Sequence, residues 1–391
     1  MPCRHLFRRG GSGRCRRTCA GRCGNARRDG RADLRITPWT RAAAPRLTTP
    51  TARTTWSGAR SRSTARSLEA VERHLAPREP RRHLYDLVAD YPRRGGRKLR
   101  PSLCIATARA FGAGRDEAVS TAAALELLHN AFLVHDDVED ESEARRGRPT
   151  LHRLHGVPMA VNVGDALLLI GLRALIDNQR QLGPRLTLLV LEEAERMARE
   201  SIEGQAIELG WRRDNALELA EDDYLEMVFK KTCWYTTIFP SRVGALIRTR
   251  NARSLDRFDR FGFFLGAAFQ IQDDLLNLVG DEARYGKELD GDIREGKRTL
   301  MLIHLLNRAS EAERRQIAEY LAAPRADHTE SQVRWIRERM DHHGCIADAR
   351  HTAHSLAGAA LHEFDQIYGA LPETRDRRFV SGVVRWVLSR T

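Results

Sequence analysis

The sequence contains very few lysines. Of its 65 basic residues only five are lysine, namely Lys98, Lys230, Lys231, Lys287 and Lys297. The lysine side chain ends in a compact ammonium group, which interacts with a phosphate as a point charge. The arginine side chain ends in a planar guanidinium group instead. Because arginine is used almost everywhere else, the five lysines are candidates for anion binding. The alternative is that a codon bias favours arginine and that these five lysines remain by chance.

The chain also lacks any run of 18 apolar residues, and its mean hydropathy is −0.49, so no membrane span is expected. Strict alternation of β-branched residues is almost absent, and no strand is predicted. Hydrophobic residues nevertheless make up 42% of the 391 residues. That share is sufficient for a large core.

The net positive charge of the chain lies in its first 66 residues. The net charge is +13, but residues 1–66 hold 17 Arg and only two acids, Asp29 and Asp33, which leaves a net of −2 for the rest. The basicity therefore does not indicate a nucleic-acid-binding fold. We expect residues 1–66 to be a disordered tail and residues 67–391 to be one all-helical domain. For the tail, an organelle transit peptide and a misassigned start codon are alternatives.

Apolar residues recur at spacings of three and four after residue 66, which predicts long helices. The predicted helical stretches are 100–111, 116–140, 159–178, 186–209, 220–248, 255–278, 297–308 and 311–322. Helices of this length separated by Gly- and Pro-containing connections favour an all-α fold. We expect a single large bundle of antiparallel helices around a central cavity.

Two acidic clusters each end a strongly apolar helical stretch. The first is DDVED at 136–140, and the second is DDLLN at 273–277. Residues four apart share a helix face, so Asp136 lies beside Asp140, and magnesium bridging to a phosphate would relieve their repulsion. Basic segments follow both clusters, as a metal-chelated diphosphate requires. A solvated helix end is the alternative for either cluster alone.

Six motifs, taken in order, resemble those of the trans-prenyl diphosphate synthases, the polyprenyl synthetases. They are GGRKLRP at 95–101, DDVED at 136–140, RRGRPT at 145–150, the pair Lys231-Thr232, FQIQDD at 269–274 and the lysine segments at 286–287 and 296–299. The likeness extends from about residue 95 to residue 306 and is weaker towards the C-terminus. One departure is Asn277, which stands where the family has the last aspartate of the second motif.

The resemblance implies a role for each of these side chains. Magnesium, as three ions in the family, would be bound directly by Asp136, Asp140 and Asp273, and through water by Asp137 and Asp274. The allylic diphosphate would be held by Arg145, Lys231, Gln270, Lys287 and Lys297. Isopentenyl diphosphate would be held by Arg97, Lys98, Arg100, His129 and Arg146. Thr232 and Gln270 would offer neutral oxygens to the developing cation, and the lost charge at Asn277 would weaken one ion's site modestly.

The same resemblance implies a magnesium-dependent prenyltransferase that joins isopentenyl diphosphate to an allylic diphosphate to give a longer trans-polyprenyl diphosphate. In the family, an aromatic residue five positions before the first cluster stops chain growth early. Ala131 leaves that position open here, while Phe132 narrows a neighbouring path. A geranylgeranyl product is expected, with longer polyprenyl or farnesyl products as alternatives. The family implies a homodimer, and we expect a cytoplasmic protein.

Other functions remain as alternatives. A class I terpene cyclase also uses aspartate-rich motifs but needs no second diphosphate site, so Arg97, Lys98, Arg100 and Arg146 argue against it. A non-catalytic synthase subunit would have degenerate motifs, and Asn277 is the only such departure. A phosphohydrolase built on His135 and Asp136 would need further ligands that the chain does not group. RNA or membrane binding by the basic tail could coexist with catalysis.

Overall fold

The structure, a computed structural model, describes residues 62–250, 254–280 and 289–390. The helices of the first half are α1 (Arg62–His74), α2 (Asp86–Val88), α3 (Asp90–Arg93), α4 (Leu99–Ala110), α5 (Val119–Glu139), α6 (Leu151–His155), α7 (Val157–Asp177), α8 (Gln179–Leu182) and α9 (Pro184–Arg213). Those of the second half are α10 (Glu221–Val228), α11 (Phe239–Thr249), α12 (Arg257–Val279), α13 (Gly291–Arg294), α14 (Leu300–Arg308), α15 (Glu311–Ala322), α16 (Glu330–His342), α17 (Cys345–Tyr368) and α18 (Arg375–Leu388). The predicted all-α fold is confirmed.

Two helices, α5 and α12, form the centre of the bundle. Helix α5 packs against α1, α4 and α7, and α12 packs against α17, α18 and a π-helical segment at Phe229–Ile238. Both central helices are apolar around most of their circumference, which is typical of helices surrounded by others. Each ends at one of the acidic clusters, so the bundle brings the two clusters to a common cavity.

Helix α7 approaches α5 closely because two glycines of α7 face it. A Cβ atom at Gly171 would lie 2.8 Å from Leu128 Cδ2, and one at Gly164 would overlap the His135 ring. Side chains at these two positions would push the helices apart, since cores are close-packed. The opposite side of α7 remains exposed, with Leu169 at 68% and Val157 at 50%.

Helix α7 also bears on the expectation that no segment spans a membrane. The stretch Val157–Leu182 is long and apolar enough to do so by length and composition, and 39% of its most apolar window is buried. The sequence expectation rested on an uninterrupted apolar run. This stretch instead reaches the same apolarity with four charged residues within it, namely Asp165, Arg173, Asp177 and Arg180.

The predicted helix at 220–248 consists of three segments. Helix α10 is followed by the π-helix Phe229–Ile238, and then by α11. A π-helix carries one more residue per turn than an α-helix and is found most often at functional sites. Hydrophobic spacing does not distinguish the two forms, so it predicts one continuous helix here.

A small hairpin follows the first acidic cluster, contrary to the expectation of no strand. Strand β1 (Ala144–Arg145) pairs antiparallel with β2 (Arg148–Pro149). The two turn residues, Arg146 and Gly147, have φ of 55° and 71°, the positive values that tight two-residue hairpins need. The turn holds two arginines of the predicted diphosphate site next to each other.

The boundary between tail and domain also differs from the prediction. Helix α1 begins at Arg62 rather than at residue 67. Its Thr64 is 4% exposed and its Ser67 1% exposed, and the Thr64 hydroxyl lies 3.3 Å from that of Ser102 on α4. The start of the helix is therefore part of the bundle. Residues 1–61, where most of the predicted disordered tail falls, lie outside the described residues.

Candidate active site

A cavity of about 410 Å³ opens between the carboxyl ends of α5 and α12. The segment before α4, the hairpin, the π-helix, the segment at 292–299 and the end of α18 contribute to its wall. The predicted site residues that line it are Arg97, Lys98, Arg100, His129, Asp136, Arg145, Arg146, Lys231, Thr232, Gln270, Asp273, Asp274 and Lys297. Lys287 lies outside the described residues. A volume of this size is typical of small-molecule sites.

Each carboxylate of the first cluster that was predicted to bind metal lies against a cation of the chain. Asp136 Oδ1 is 3.4 Å from Lys231 Nζ. Asp140 Oδ2 is 2.8 Å from Lys297 Nζ, and its Oδ1 accepts a hydrogen bond of 2.7 Å from Arg212. Carboxylates that contact ammonium and guanidinium groups in this way are suitable ligands for a hard metal ion as well.

The charges of the first cluster are retained in spite of burial. Burial and the nearby Asp140 act to raise the pKa of Asp136, but Lys231 and Lys297 bring it below its ordinary value. Burial likewise opposes ionisation of Asp140, and Lys297 and Lys231 lower the pKa of that carboxyl. Opposite charges within a few ångströms favour the charged form. Both carboxylates are therefore ionised at neutral pH.

Asp137 turns away from the cavity. Its carboxylate accepts a hydrogen bond of 2.5 Å from the Tyr91 hydroxyl and one of 2.9 Å from Arg145 Nε, and its side chain is 1% exposed. Arg145 in turn lies 3.5 Å from Asp136 Oδ2. Asp137 thus orients Arg145 along the edge of the first cluster.

The second cluster is tied together by a chain of hydrogen bonds. Thr232 donates to Gln270 Oε1 at 3.0 Å, and Gln270 Nε2 donates to Asp274 at 2.7 Å. Tyr224 donates to the other oxygen of Asp274 at 2.8 Å. Burial, and then Asp292, raise the pKa of Asp274. Because Thr232 uses its only proton here, its oxygen keeps lone pairs towards the cavity.

Asp273, the third predicted metal ligand, pairs with the C-terminal end of the chain. Arg390 donates to its carboxylate, and the Arg390 guanidinium lies 4.6 Å from the Phe269 ring. The Arg390 carbonyl accepts from Gln272 at 3.0 Å. Residues beyond α18 therefore reach the second cluster, which the sequence did not indicate.

The basic side of the cavity is built on a strained loop. Gly95, Gly96 and Lys98 all have positive φ, a conformation that side chains rarely adopt and that occurs often at functional sites. Lys98 Nζ lies 2.8 Å from Glu126, and Arg146 donates to the Gly95 carbonyl at 2.6 Å. The loop and the hairpin turn are thereby joined, and their cations face one cavity.

His129 is placed among these cations. Its Nε2 lies 3.2 Å from Arg100 Nη1, while Arg100 Nη2 donates to Thr236 at 2.9 Å. Burial, and then Arg100, lower the pKa of His129 well below its ordinary value. A neutral imidazole can still donate one hydrogen bond to a phosphate oxygen. Its predicted role, binding of isopentenyl diphosphate, stays a prediction.

The apolar wall differs from the predicted tunnel floor. Ala131 is fully buried, and the cavity lining includes Leu133 and Tyr235 but not Ala131 or Phe132. The Tyr235 ring lies edge-on against Phe132 at 5.8 Å between centroids, and of these two rings only that of Tyr235 is among the lining residues of the cavity.

Comparisons with known proteins show the family of the chain. The profile of the Polyprenyl synthetase family matches residues 81–340. A short chain isoprenyl diphosphate synthase of Methanothermobacter thermautotrophicus is 33% identical over 297 residues, which are 76% of this chain and 87% of that protein. The chain belongs to the polyprenyl synthetase family.

Other members of the polyprenyl synthetase family are similar in sequence and structure. A geranylgeranyl diphosphate synthase of Saccharolobus solfataricus is 34% identical over 227 residues, 58% of this chain and 68% of that one. The crystal structure of a geranylgeranyl pyrophosphate synthetase from Pyrococcus horikoshii superposes with a TM-score of 0.74 at 29% identity, covering 84% of this chain and 97% of that one. The predicted family is confirmed, and this chain is a prenyltransferase.

The donor set of the two clusters suits the divalent metal that the family implies. Asp136, Asp140 and Asp273 supply carboxylate oxygens only, which hard cations such as Mg²⁺ prefer. Within the part of the chain that the structure describes, no three His, Cys, Asp or Glu side chains are assembled as one metal group. The carboxylates are paired with ammonium and guanidinium groups of lysine and arginine. A bound metal would take the positions that these cationic groups now occupy.

Several residues of this site were missed by sequence reasoning. Tyr91 and Tyr224 hold Asp137 and Asp274 from 46 and 50 residues away, and Arg212 and Arg390 bind Asp140 and Asp273. Lone tyrosines and arginines carry no spacing that marks a carboxylate partner. Only the fold shows which distant side chain meets which acid.

Proposed function

We propose that this prenyltransferase condenses isopentenyl diphosphate with an allylic diphosphate and uses magnesium to do so. The observation that carries the proposal is that two aspartate clusters and the described diphosphate-binding cations of the prediction line one cavity. Two separate sets of cations suit two diphosphate substrates. A cyclase, which binds one diphosphate, would have no use for the set around Arg100.

Mg²⁺ would be held by Asp136, Asp140 and Asp273, as up to three ions, with Asp137 and Asp274 behind them. When bound, it would supply Lewis-acid stabilisation of the negative charge on the departing diphosphate. Lys231 and Lys297 now pair with the first cluster. With the carboxylates occupied, these ammonium groups would be released towards the diphosphate oxygens.

The remaining chemistry needs positioning rather than covalent help from the protein. Arg145, Lys231, Gln270 and Lys297 hold the allylic diphosphate while its C–O bond ionises. Arg97, Lys98, Arg100, His129 and Arg146 hold isopentenyl diphosphate so that its double bond attacks the allylic cation. The Thr232 oxygen faces the developing positive charge, and a proton is then lost to the released diphosphate. The rate of condensation then comes from the alignment of the two substrates and from charged side chains held where the leaving diphosphate develops negative charge.

The proposed product is geranylgeranyl diphosphate. The named activities of the Saccharolobus and Pyrococcus relatives support this length, as does the absence of an aromatic ring at Ala131. Tyr235 at the cavity wall argues against much longer chains. Farnesyl and longer polyprenyl diphosphates are the alternative products.

The experiment is a product assay on purified protein with magnesium and labelled isopentenyl diphosphate. Dimethylallyl, geranyl and farnesyl diphosphates are supplied separately as primers. A ladder that ends at C20 supports both the reaction and the product length. A ladder that ends at C15 or at C30 keeps the reaction and contradicts the length, and no incorporation by folded protein contradicts the function.

A homodimer in the cytoplasm is the proposed state of the protein. Helix α7 exposes Val157, Val161, Leu169, Leu172 and Ile176 on one side, and an apolar face of this extent marks a protein interface. Asp165 and Arg173, both 62% exposed, lie four residues either side of Leu169. A twofold axis at Leu169 would bring Asp165 of one copy to Arg173 of the other, as self-complementary interfaces require. Because the other side of α7 is packed on α5, this face suits a second copy better than a bilayer.

A further inference from the structure

Arg100 is held in the cavity wall by neutral groups. Among the described residues its guanidinium pairs with no carboxylate, whereas the ammonium of its neighbour Lys98 lies 2.8 Å from Glu126. Arg100 Nη2 donates to the Thr236 hydroxyl at 2.9 Å, and Nη1 lies 3.2 Å from His129 Nε2. A carboxylate partner would compete with a diphosphate for the guanidinium, so these neutral contacts leave its charge available to an anion.

An aromatic ring is the third contact of Arg100. Its guanidinium lies 4.4 Å from the centroid of the Tyr235 ring, and a cation at this distance is attracted by the quadrupole of the ring. The same ring stacks on His129, with 5.8 Å between the two centroids. Tyr235 and Thr236 are adjacent residues of the π-helix Phe229–Ile238, so two neighbouring side chains of one segment hold Arg100.

The Tyr235 ring is itself fixed by α5. Phe132 lies edge-on to it at 5.8 Å between centroids, and His129 is three residues before Phe132, on the same face of α5. Stacked and edge-on contacts are the arrangements that aromatic pairs prefer. Tyr235 also lines the cavity. The ring is therefore held between α4, α5 and the π-helix, at the wall that a ligand would contact.

Two nitrogen atoms beside this ring are available to a ligand. Arg100 Nε and His129 Nδ1 are buried, and neither makes a hydrogen bond among the described residues. When His129 Nε2 accepts from Arg100, the single ring proton of the neutral imidazole is on Nδ1, so both atoms are donors. A buried donor without an acceptor is costly, and a diphosphate oxygen would supply the acceptor.

We propose that Tyr235 is a positioning residue for isopentenyl diphosphate, because its ring holds Arg100 and His129 at the cavity without neutralising the guanidinium. The inference rests on the proposed condensation, in which these two residues bind isopentenyl diphosphate. An aromatic ring suits this task better than a carboxylate, since it stabilises a cation through its quadrupole and adds no negative charge to a site for an anion. Tyr235 thus connects the π-helix, whose Lys231 and Thr232 are predicted to serve the allylic substrate, to the site of the other substrate.

The test is steady-state kinetics on the full chain with Mg²⁺, in which isopentenyl diphosphate and a geranyl diphosphate primer are varied in turn. We expect Tyr235→Leu to raise KM for isopentenyl diphosphate about 3- to 30-fold, the range of a cation–π contact, and to change KM for the primer less than about twofold. Tyr235→Phe keeps the ring, so its KM for isopentenyl diphosphate should match that of the unaltered protein.

The matched control is Phe229→Leu, the same kind of change on another ring of the π-helix. Phe229 contacts Trp234 and Phe263 and is not among the lining residues of the cavity. Both KM values should therefore remain as in the unaltered protein.

A double substitution shows whether Tyr235 acts through Arg100. If it does, adding Tyr235→Leu to Arg100→Gln should change kcat/KM for isopentenyl diphosphate less than about twofold, because coupled residues are not additive. Effects that multiply would overturn the inference. So would an unaltered KM for isopentenyl diphosphate in folded Tyr235→Leu protein, equal rises in both KM values, or a Tyr235→Phe protein that behaves as Tyr235→Leu does. Failure of the folded, unaltered protein to incorporate isopentenyl diphosphate would instead contradict the proposed function itself.

Discussion

Tyr91 shows how much depends on a single hydroxyl in this site. It donates 2.5 Å to Asp137, and Asp137 in turn orients Arg145 beside the first cluster. Both Tyr91 and Asp137 are 1% exposed. Water cannot replace the hydroxyl as donor, so the carboxylate depends on its protein partners.

We predict that Tyr91→Phe lowers the free energy of unfolding by about 1.5–3 kcal/mol, the usual contribution of a hydrogen bond to a charged group. Urea denaturation measures it. The control is Tyr85→Phe, the same chemical change on a ring whose hydroxyl makes no hydrogen bond among the described residues, and its effect should be small. Equal effects of the two substitutions would show that the Asp137 hydrogen bond is not the cause.

At the residue scale, the sequence predicted the acids and cations of the site but not their pairing. Asp136 and Lys231 were recognised from separate motifs, and the structure places them 3.4 Å apart. Spacing along a helix relates residues within one turn or two, so it could relate Asp136 to Asp140. It could not relate Asp273 to Arg390, which lie 117 residues apart.

At the scale of elements, the contact between α9 and the π-helix places Lys231. Gly204 of α9 lies next to the Lys231 backbone. A Cβ at position 204 would be 2.1 Å from the Lys231 backbone nitrogen. The Lys231 ammonium then reaches Glu208, one turn further along α9, at 2.9 Å. The absence of a side chain at Gly204 thus allows the backbone at Lys231, a predicted diphosphate-binding residue, to pack closely against α9.

We predict that Gly204→Ala destabilises the protein by about 1–3 kcal/mol, the typical cost of overpacking a core, and lowers kcat because Lys231 is displaced. Thermal unfolding and steady-state kinetics measure the two effects. Gly210→Ala on the same helix is the control, since nothing lies within 4 Å of its Cβ position, and it should be neutral or stabilising. A Gly204→Ala protein as stable and active as the Gly210→Ala protein would contradict this prediction.

The start of α15 gives a prediction that depends on pH. Glu313 accepts hydrogen bonds from the backbone and the hydroxyl of Ser310 at 2.9 and 3.0 Å. These bonds, with a smaller effect of His343, lower the pKa of Glu313 to about 2 from an ordinary value of 4.5. An acid whose folded pKa is depressed stabilises the fold above its unfolded pKa, and that stability is lost as the pH falls towards the folded value.

Glu313→Gln should therefore lower Tm at pH 7, while the difference from the unaltered protein should shrink as the pH falls below about 4.5. Gln retains the capping geometry, so the substitution isolates the charge. Thermal unfolding between pH 7 and pH 3 is the measurement. A difference in Tm that grows on acidification would have the wrong sign for this explanation.

Helix existence was predictable from apolar spacing, whereas the local form of the backbone was not. The stretch 311–322 was predicted with the bounds that α15 has, Glu311–Ala322. The stretch 220–248 contains a π-helix, and the RRGRPT motif forms a hairpin. Neither was predicted. The spacing of apolar residues reflects which residues are buried. It therefore does not reveal an extra residue in one helical turn or a pair of two-residue strands.

At the scale of the molecule, the exposed side of α7 sets the expected assembly. We predict that Leu169→Glu converts a dimer into a monomer of 44.3 kDa, because it places two like charges at the proposed twofold axis. Light scattering coupled to size exclusion measures the mass. The control is Val279→Glu, an apolar residue 44% exposed at the end of α12, which should remain dimeric. A monomeric unaltered protein would contradict the proposed interface.

The central claim is that the two aspartate clusters act together through a divalent metal on a diphosphate. The most direct measurement is the rate of isopentenyl incorporation into a farnesyl primer by chelator-treated protein, as Mg²⁺ is added back. The account predicts no measurable rate without metal and a rate that rises and saturates with Mg²⁺. A rate that is independent of any divalent cation would contradict it.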